Sequence, residues 1–270
     1  LDPFSIYALV SSMEAVKSAE LDLQNSNLDR MGVIIGCGIG GIKTLENEHD
    51  IINNKGARRV SPQFVAKMIP NIAGGHLSMR FGFRGPSQTV ISACASSNDA
   101  IGIALRLIRY GDADVILTGG TEASITPLTI AGFGNMRALS QNCENPTKAS
   151  RPFDANRDGF VLSEGAGMIV LESEKHALDR GAPILAELAG YGSTDDAFHI
   201  TQPAPEGEGA YRAMQIALAD SGIKPKDIDY INAHGTSTPF NDKNESKAIS
   251  NLFKKNLNNL KISSTKSMTG

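Results

Sequence analysis

The sequence predicts a layered α/β fold, and three observations carry that prediction. Short all-apolar runs such as Met31–Ile35 and Val115–Gly119 have the pattern of strands buried on both faces of a sheet. Segments with apolar residues at helical spacing alternate with them, as in Ile101, Leu105 and Ile108. Turns rich in Gly, Ser and Thr follow the ends of these strands. With 270 residues the chain can bury a large core, as one big domain or two packed halves.

Each element follows in order. Ser5 to Leu23 has helical periodicity, and Met31–Ile35 is the first buried strand. Gly36-Cys-Gly-Ile-Gly-Gly41 comes next, with glycines at the close spacing of a dinucleotide-binding turn. Gly36, Gly38 and Gly41 have that spacing, but no acid ends an obvious second strand, which leaves the dinucleotide reading weak. A tight turn beneath a functional site is therefore expected. Ser61 to Phe81 reads as helical segments broken at Pro70 and Gly74-Gly75. A strand over Thr89–Ser92 leads to Cys94, and a helix runs on to about Tyr110. Val115–Gly119 is another buried strand. Phe160–Leu162 and Gly167–Leu171 are expected to pair antiparallel, with Ser173 capping the next helix. Ile184–Gly190 reads as a strand, and Gly209–Ser221 as a helix stopped by Gly222. A strand over Ile228–Asn232, a helix over Asp242–Phe253 and a strand over Lys261–Ser264 complete the pattern.

Composition excludes several classes. A net charge of -3 and a pI near 6.0 argue against a general nucleic-acid binder, while leaving room for a local basic patch. Cys37, Cys94 and Cys143 are scattered, so neither a disulfide framework nor a zinc pattern is expected, and a reducing compartment is. No apolar run reaches the length of a membrane span, and no signal peptide is visible. The expected location is cytoplasmic: the bacterial cytosol, or an organelle stroma or matrix. The chain opens on Leu1-Asp-Pro3 and closes in a loop-like Ser267-Met-Thr-Gly270, so both ends read as cut.

Chemistry concentrates where strands end. In Val90-Ile-Ser-Ala-Cys-Ala-Ser-Ser-Asn-Asp-Ala-Ile-Gly102 a β-branched run stops in small residues and a helix begins at once. That puts the Cys94 thiol beside a helix N-terminus, where unpaired N–H groups and the positive dipole end favour a thiolate. Taken alone, a buried structural cysteine would read the same way. His234 follows a buried strand and precedes a Gly/Thr-rich turn, so it can donate a hydrogen bond or shuttle a proton; a satisfied structural histidine fits equally well. Lys266 sits just past a strand in a small polar loop, where a surface lysine is the plain alternative. The segment Ser150–Gly167 carries Asp154, Asn156 and Asp158, which mimic a calcium loop. Gly165 falls where the twelfth-position glutamate belongs and Arg157 opposes a cation, so no metal is expected and Arg–Asp bracing is preferred.

Together these motifs resemble a known family. Ser92-Ala-Cys-Ala-Ser96, Gly119-Gly-Thr-Glu122, Arg151-Pro-Phe-Asp-Ala-Asn-Arg-Asp-Gly-Phe160, Asn232-Ala-His-Gly-Thr-Ser-Thr238 and Thr265-Lys-Ser-Met-Thr-Gly270 are similar, over essentially the whole chain, to the elongating condensing enzymes, the beta-ketoacyl-acyl-carrier-protein synthases of type II. The resemblance implies a thiolase-like five-layer αβαβα sandwich of two similar halves, here truncated at both ends. Residues 1–172 would form the N-terminal half, lacking its first strand, and 173–270 the start of the C-terminal half. It also implies a homodimer. Cys94 would take an acyl group from acyl carrier protein, His234 would stabilise the enolate formed when malonyl carrier protein loses carbon dioxide, and Lys266 would order the histidines. Asp242 and Glu245 match supporting acids.

Other positions follow the same resemblance. Phe133 matches an acyl-tunnel residue, Thr236 and Thr238 match contacts to the phosphopantetheine arm, and Thr201 joins them as substrate-binding. Arg58, Arg59 and Arg137 match a basic patch that receives the acidic carrier. No cofactor is implied beyond the phosphopantetheine that arrives on the carrier. Asp99 departs from the family, where histidine or a small residue is common. A second histidine and a glycine-rich gate are expected beyond Gly270. A polyketide-type ketosynthase or a coenzyme A acyltransferase of the same fold shares much of this pattern. A non-catalytic chain-length partner would lack the nucleophile.

Overall fold

A computed structural model describes all residues, Leu1–Gly270. In chain order the elements are α1 (Pro3–Ser18), β1 (Met31–Gly36), α2 (Ile42–Lys55), α3 (Phe64–Met68), α4 (Ile72–Phe81), β2 (Ser87–Val90), α5 (Ser96–Arg109), β3 (Val115–Glu122), α6 (Pro127–Asn135), β4 (Gly165–Glu172), α7 (Glu174–Asp179), α8 (Glu208–Ser221), β5 (Tyr230–Asn232), α9 (Pro239–Leu252), β6 (Lys261–Ser263) and α10 (Lys266–Thr269). They form two compact units that interleave in sequence: Leu1–Thr126 with Glu164–Leu188, and Pro127–Ser163 with Ala189–Gly270.

The first unit is built on a four-stranded sheet of order β2-β1-β3-β4. β1 is parallel to both neighbours, and β3 pairs antiparallel with β4 along its full length. All six residues of β1 are buried, as a central strand covered on both faces requires. Its alternation sorts the core: Met31, Val33 and Ile35 pack with Phe4, Ala8, Leu77 and Phe81, while Ile34 packs with Ala100, Ala104 and Ile116. Asp2 caps α1 and, almost fully buried, accepts from the Thr44 N–H at 3.2 Å and hydroxyl at 2.6 Å, tying α1 to the start of α2.

In the second unit β5 and β6 pair in parallel, with Ile231 opposite Ile262. α8 and α9 contribute to a small core of Ile249, Phe253 and Leu260, with Met214, Ile228 and Ile231 packed on it. Gly190 and Gly192 run so close to α8 that a side chain would meet Ala217 O at 2.6 Å and Ala213 O at 2.1 Å.

Several expectations change. The first helix stops at Ser18 rather than Leu23, and β2 ends at Val90 because the chain already turns at Ser92. Gly74-Gly75 do not break α4. Gly74 is buried and approaches Ile35 and Thr89 closely, so tertiary packing outweighs the helix penalty of glycine, about 1 kcal/mol. Phe160–Leu162 does not pair with β4, which is the edge strand and pairs with β3 alone; Phe160 forms only an isolated bridge with Leu139. Ile184–Gly190 is not a strand, since no neighbouring strand completes its ladder there. Helices α2, α6 and α10 are not predicted from sequence: α2 begins without a side-chain cap, on a glycine, and Lys266, read as a loop residue, opens the short α10. Ser173 does cap α7, accepting from the His176 N–H.

Candidate active site

Cys94 lies in the first unit, inside a 3-10 turn over Ala93–Ala95 that joins β2 to α5, and it is exposed. The sharp turn needs Ala93 at φ 50°, in the left-handed region that a side chain disfavours. Local hydrogen bonds hold it: Ser96 Oγ accepts from the Ser92 N–H at 3.0 Å and donates to Ala93 O at 2.7 Å, and Ala95 N–H donates to Ser92 O at 3.0 Å. Ser92 Oγ donates to Asp99, so the departure noted at Asp99 serves as an acceptor beneath the turn. Below this lie Gly36 and Gly120, register partners on β1 and β3. A Cβ on Gly36 would sit 2.3 to 2.5 Å from backbone atoms of Ser96 and Ser97, and one on Gly120 would meet Ser97 Oγ at 1.8 Å. Glycine at both strand ends lets α5 start directly on the sheet.

The glycine-rich loop after β1 is a turn, as expected, and the anion it cradles is a side chain. Glu122, at the end of β3, accepts the N–H groups of Gly38 and Ile39 at 2.9 Å and of Gly40 at 3.2 Å. Cys37 Sγ lies 3.9 Å from the same carboxylate, and burial together with that charge pushes its thiol up to about 12. Cys37 is thus a poor nucleophile at neutral pH.

His234, Lys266, Asp242, Glu245, Thr236 and Thr238 gather in the second unit, around the loop after β5. Glu245 Oε1 accepts the His234 N–H at 2.7 Å, and its Oε2 accepts the Gly235 N–H at 2.8 Å. Lys266 Nζ donates to His234 O at 2.7 Å, and Ser264 Oγ donates to Gly235 O at 3.0 Å. The histidine backbone is therefore clamped from two sides. His234 retains accessible surface, yet the desolvation imposed by the atoms packed about it, and after that the Lys266 ammonium, hold its pKa below the usual 6.5. Glu245 and Asp242 oppose that shift without cancelling it. At neutral pH the imidazole is uncharged, so one ring nitrogen donates.

Asp242 and Glu245 stand three residues apart on α9 and so face the same side. Asp242, 1% exposed, accepts the Phe153 N–H at 2.8 Å and pairs with Arg157 at 3.4 Å. Arg157 also donates to Thr238 O and Pro239 O, while Arg151 pairs with Asp158 at 2.8 Å. The segment that mimics a calcium loop is the brace of the His234 loop. Thr236 and Thr238 hydroxyls bond each other at 2.8 Å, and Thr238 caps α9 by accepting from the Asn241 N–H. Phe133, on α6, meets Phe160 edge-to-face at 5.2 Å.

The remaining positions are dispersed. Thr201 is exposed in a stretch without regular structure, its N–H donated to His199 at 3.1 Å. Arg58 and Arg59 are exposed on a 3-10 turn of the first unit, and Arg137 is exposed after α6 in the second. Glu122 had been quoted as part of a motif with no role attached. The signal for one was its place two residues beyond Gly120, the register partner of the loop's first glycine.

Solved ketosynthases share this fold. One, a ketosynthase in complex with the acyl-carrier protein of a type II polyketide synthase and bound to the hexaketide, superposes with a TM-score of 0.94 at 36% identity, over 99% of this chain and 67% of that one. A beta-ketoacyl synthase from Burkholderia phymatum gives 0.86 at 35% identity, over 93% and 61%. The fold class is therefore the thiolase-like ketosynthase fold. The family model described as beta-ketoacyl synthase, N-terminal domain, matches residues 1–177, and that of the C-terminal domain matches residues 185–270. The chain belongs to the beta-ketoacyl synthase family. It is 54% identical over all 270 residues to a 3-oxoacyl-[acyl-carrier-protein] synthase 2 of Staphylococcus aureus and 48% identical to one of Synechocystis. It spans 65% of the length of each of these curated relatives.

Proposed function

We propose that the protein is a 3-oxoacyl-[acyl-carrier-protein] synthase that elongates fatty acids by decarboxylative condensation of acyl carrier protein thioesters with malonyl carrier protein. The observation that carries this reading is the 54% identity, along the entire chain, to relatives bearing that name. Cys94 Sγ attacks the acyl thioester carbonyl, and the carrier leaves as its thiol. Backbone N–H groups at the start of α5 stabilise the oxyanion. Malonyl carrier protein then loses carbon dioxide, and neutral His234 donates to the thioester carbonyl as the enolate forms. The enolate carbon attacks the acyl-cysteine, and the Cys94 thiolate departs. Lys266 holds His234 through its carbonyl, and Glu245 holds the same loop through its N–H groups.

Phe133 contributes to the acyl site, Thr236 and Thr238 meet the phosphopantetheine arm, and Thr201 is a further substrate-binding residue. Arg58, Arg59 and Arg137 receive the acidic carrier. The reading includes a homodimer in the cytoplasm, no cofactor or metal beyond the carrier's own arm, and family halves dividing at 172/173. A polyketide-type ketosynthase is the second reading, favoured by the close superposition on such an enzyme.

The test is incubation of the intact protein with acyl carrier proteins of graded chain length, followed by peptide mass spectrometry and product analysis. The expected results are an acyl adduct on Cys94 and, with malonyl carrier protein, a product longer by two carbons. An adduct on Cys37 or Cys143 would overturn the assignment. Repeated extension without intervening reduction would favour the polyketide reading.

A further inference from the structure

We propose that Glu122 is the positioning residue of the Cys94 turn, an inference that rests on reading Cys94 as the nucleophile. The turn is strained at Ala93, and such strain persists only where the surroundings over-determine it. Those surroundings are the ends of β1, β2 and β3. Gly36 and Gly120 form the seat on which Ser96 and Ser97 rest. The loop leaving Gly36 closes the seat: its Cys37 N–H donates to Val90 O at 3.2 Å, just before the chain turns toward Cys94. A Cβ on Gly38 would lie 2.9 Å from the Glu122 carboxylate and 3.9 Å from Ala93 O, so both border the same point of the loop. The loop is thus a single layer of backbone that the carboxylate holds close to the strained residue.

That layer has no ladder of its own. Three successive N–H groups, from Gly38, Ile39 and Gly40, point at one carboxylate, and charge-assisted bonds of this kind are stronger than neutral ones. Without Glu122 these donors would have to rotate toward other acceptors. The loop would move, and the support behind Ala93 would move with it. Glu122 need not touch substrate to matter, because a displacement of about 1 Å at a reacting atom can cost on the order of a hundred-fold in rate.

The test is alkylation of the intact protein by iodoacetamide, followed cysteine by cysteine with peptide mass spectrometry. Exposed Cys143, in the other unit, serves as the internal reference, and buried Cys37 reports on opening of the core. In Glu122→Ala the Cys94 rate relative to Cys143 should fall on the order of ten-fold, with Cys37 still protected. Glu122→Gln keeps one acceptor oxygen and should fall between that variant and the native protein. Removing a negative charge would by itself favour an anionic sulfur and speed alkylation, so a slower reaction reports position. An unchanged or raised ratio in both variants overturns the proposal. Ready labelling of Cys37 in both also overturns it, because Glu122 would then hold the core and not the turn. The readout needs no carrier protein. Loss of the acyl adduct in native protein with this alkylation pattern intact would count against the functional reading alone.

Discussion

At the scale of single residues, His234 shows how a charged neighbour can serve by disfavouring charge. Its ordinary pKa is 6.5, and desolvation plus Lys266 lower it. The sign follows directly. The unfolded chain binds this proton more readily than the folded one, so His234 adds to stability above pH 6.5 and that contribution is lost as pH falls through the folded value. A neutral imidazole is also the form that the proposed enolate step uses. We expect NMR titration to place the His234 pKa below 6.5, and Lys266→Met to raise it. A Lys266→Met protein with an unmoved His234 titration would remove the electrostatic part of the argument. The histidine and the lysine were both legible as residues past strand ends. The clamp by Glu245 was legible only through family resemblance, because a carboxylate eleven positions away leaves no local pattern.

At the scale of elements, the junction of β1, β3 and α5 decides what the Cys94 turn can be. Gly36 meets backbone of Ser96 and Ser97, which cannot yield without moving α5, whereas Gly120 meets chiefly the rotatable Ser97 hydroxyl. Gly36→Ala should therefore destabilise more than Gly120→Ala, with the former costing about 1–3 kcal/mol, and Ser97→Ala should relieve part of the latter. Urea unfolding of the single and double variants checks the order; equal costs would mean that the seat is softer than the distances imply. Buried strands were readable here because β1 and β3 are apolar along nearly their whole length. The Ile184–Gly190 run, apolar but for Glu187, is no strand and stays largely exposed, since an apolar pattern cannot supply a ladder partner. Helix α2 lacked both a capping side chain and a clean apolar stripe, so its start left little trace.

At the scale of the molecule, the motifs divide between two compact units, with Cys94 in one and His234 and Lys266 in the other. Their order along the chain was enough to suggest the family, and the match of both family models bears that out. The interleaving of the units was not visible in sequence: residues 127–163 join the second unit although they precede β4 of the first. On the proposed reading, the exposed Arg58 and Arg59 attract an acidic carrier. Arg58→Glu with Arg59→Glu should slow association and flatten its salt dependence, with dissociation little changed. Stopped-flow binding of acyl carrier protein at two ionic strengths measures this, and an association rate that ignores both charge reversals would remove these arginines from the docking surface.

The carboxylate enclosed by the loop after β1 has a consequence for how the protein meets its solution. A turn of this shape is open to any anion of suitable size, and a cell is rich in phosphate. Here the anion is tethered to the neighbouring strand, which places it at an effective concentration on the order of millimolar or above without any diffusion. Free phosphate must compete with a rival that never leaves. The loop after β1 is in this way insulated from the anion content of its surroundings, because the tethered carboxylate already occupies the donors its glycines present.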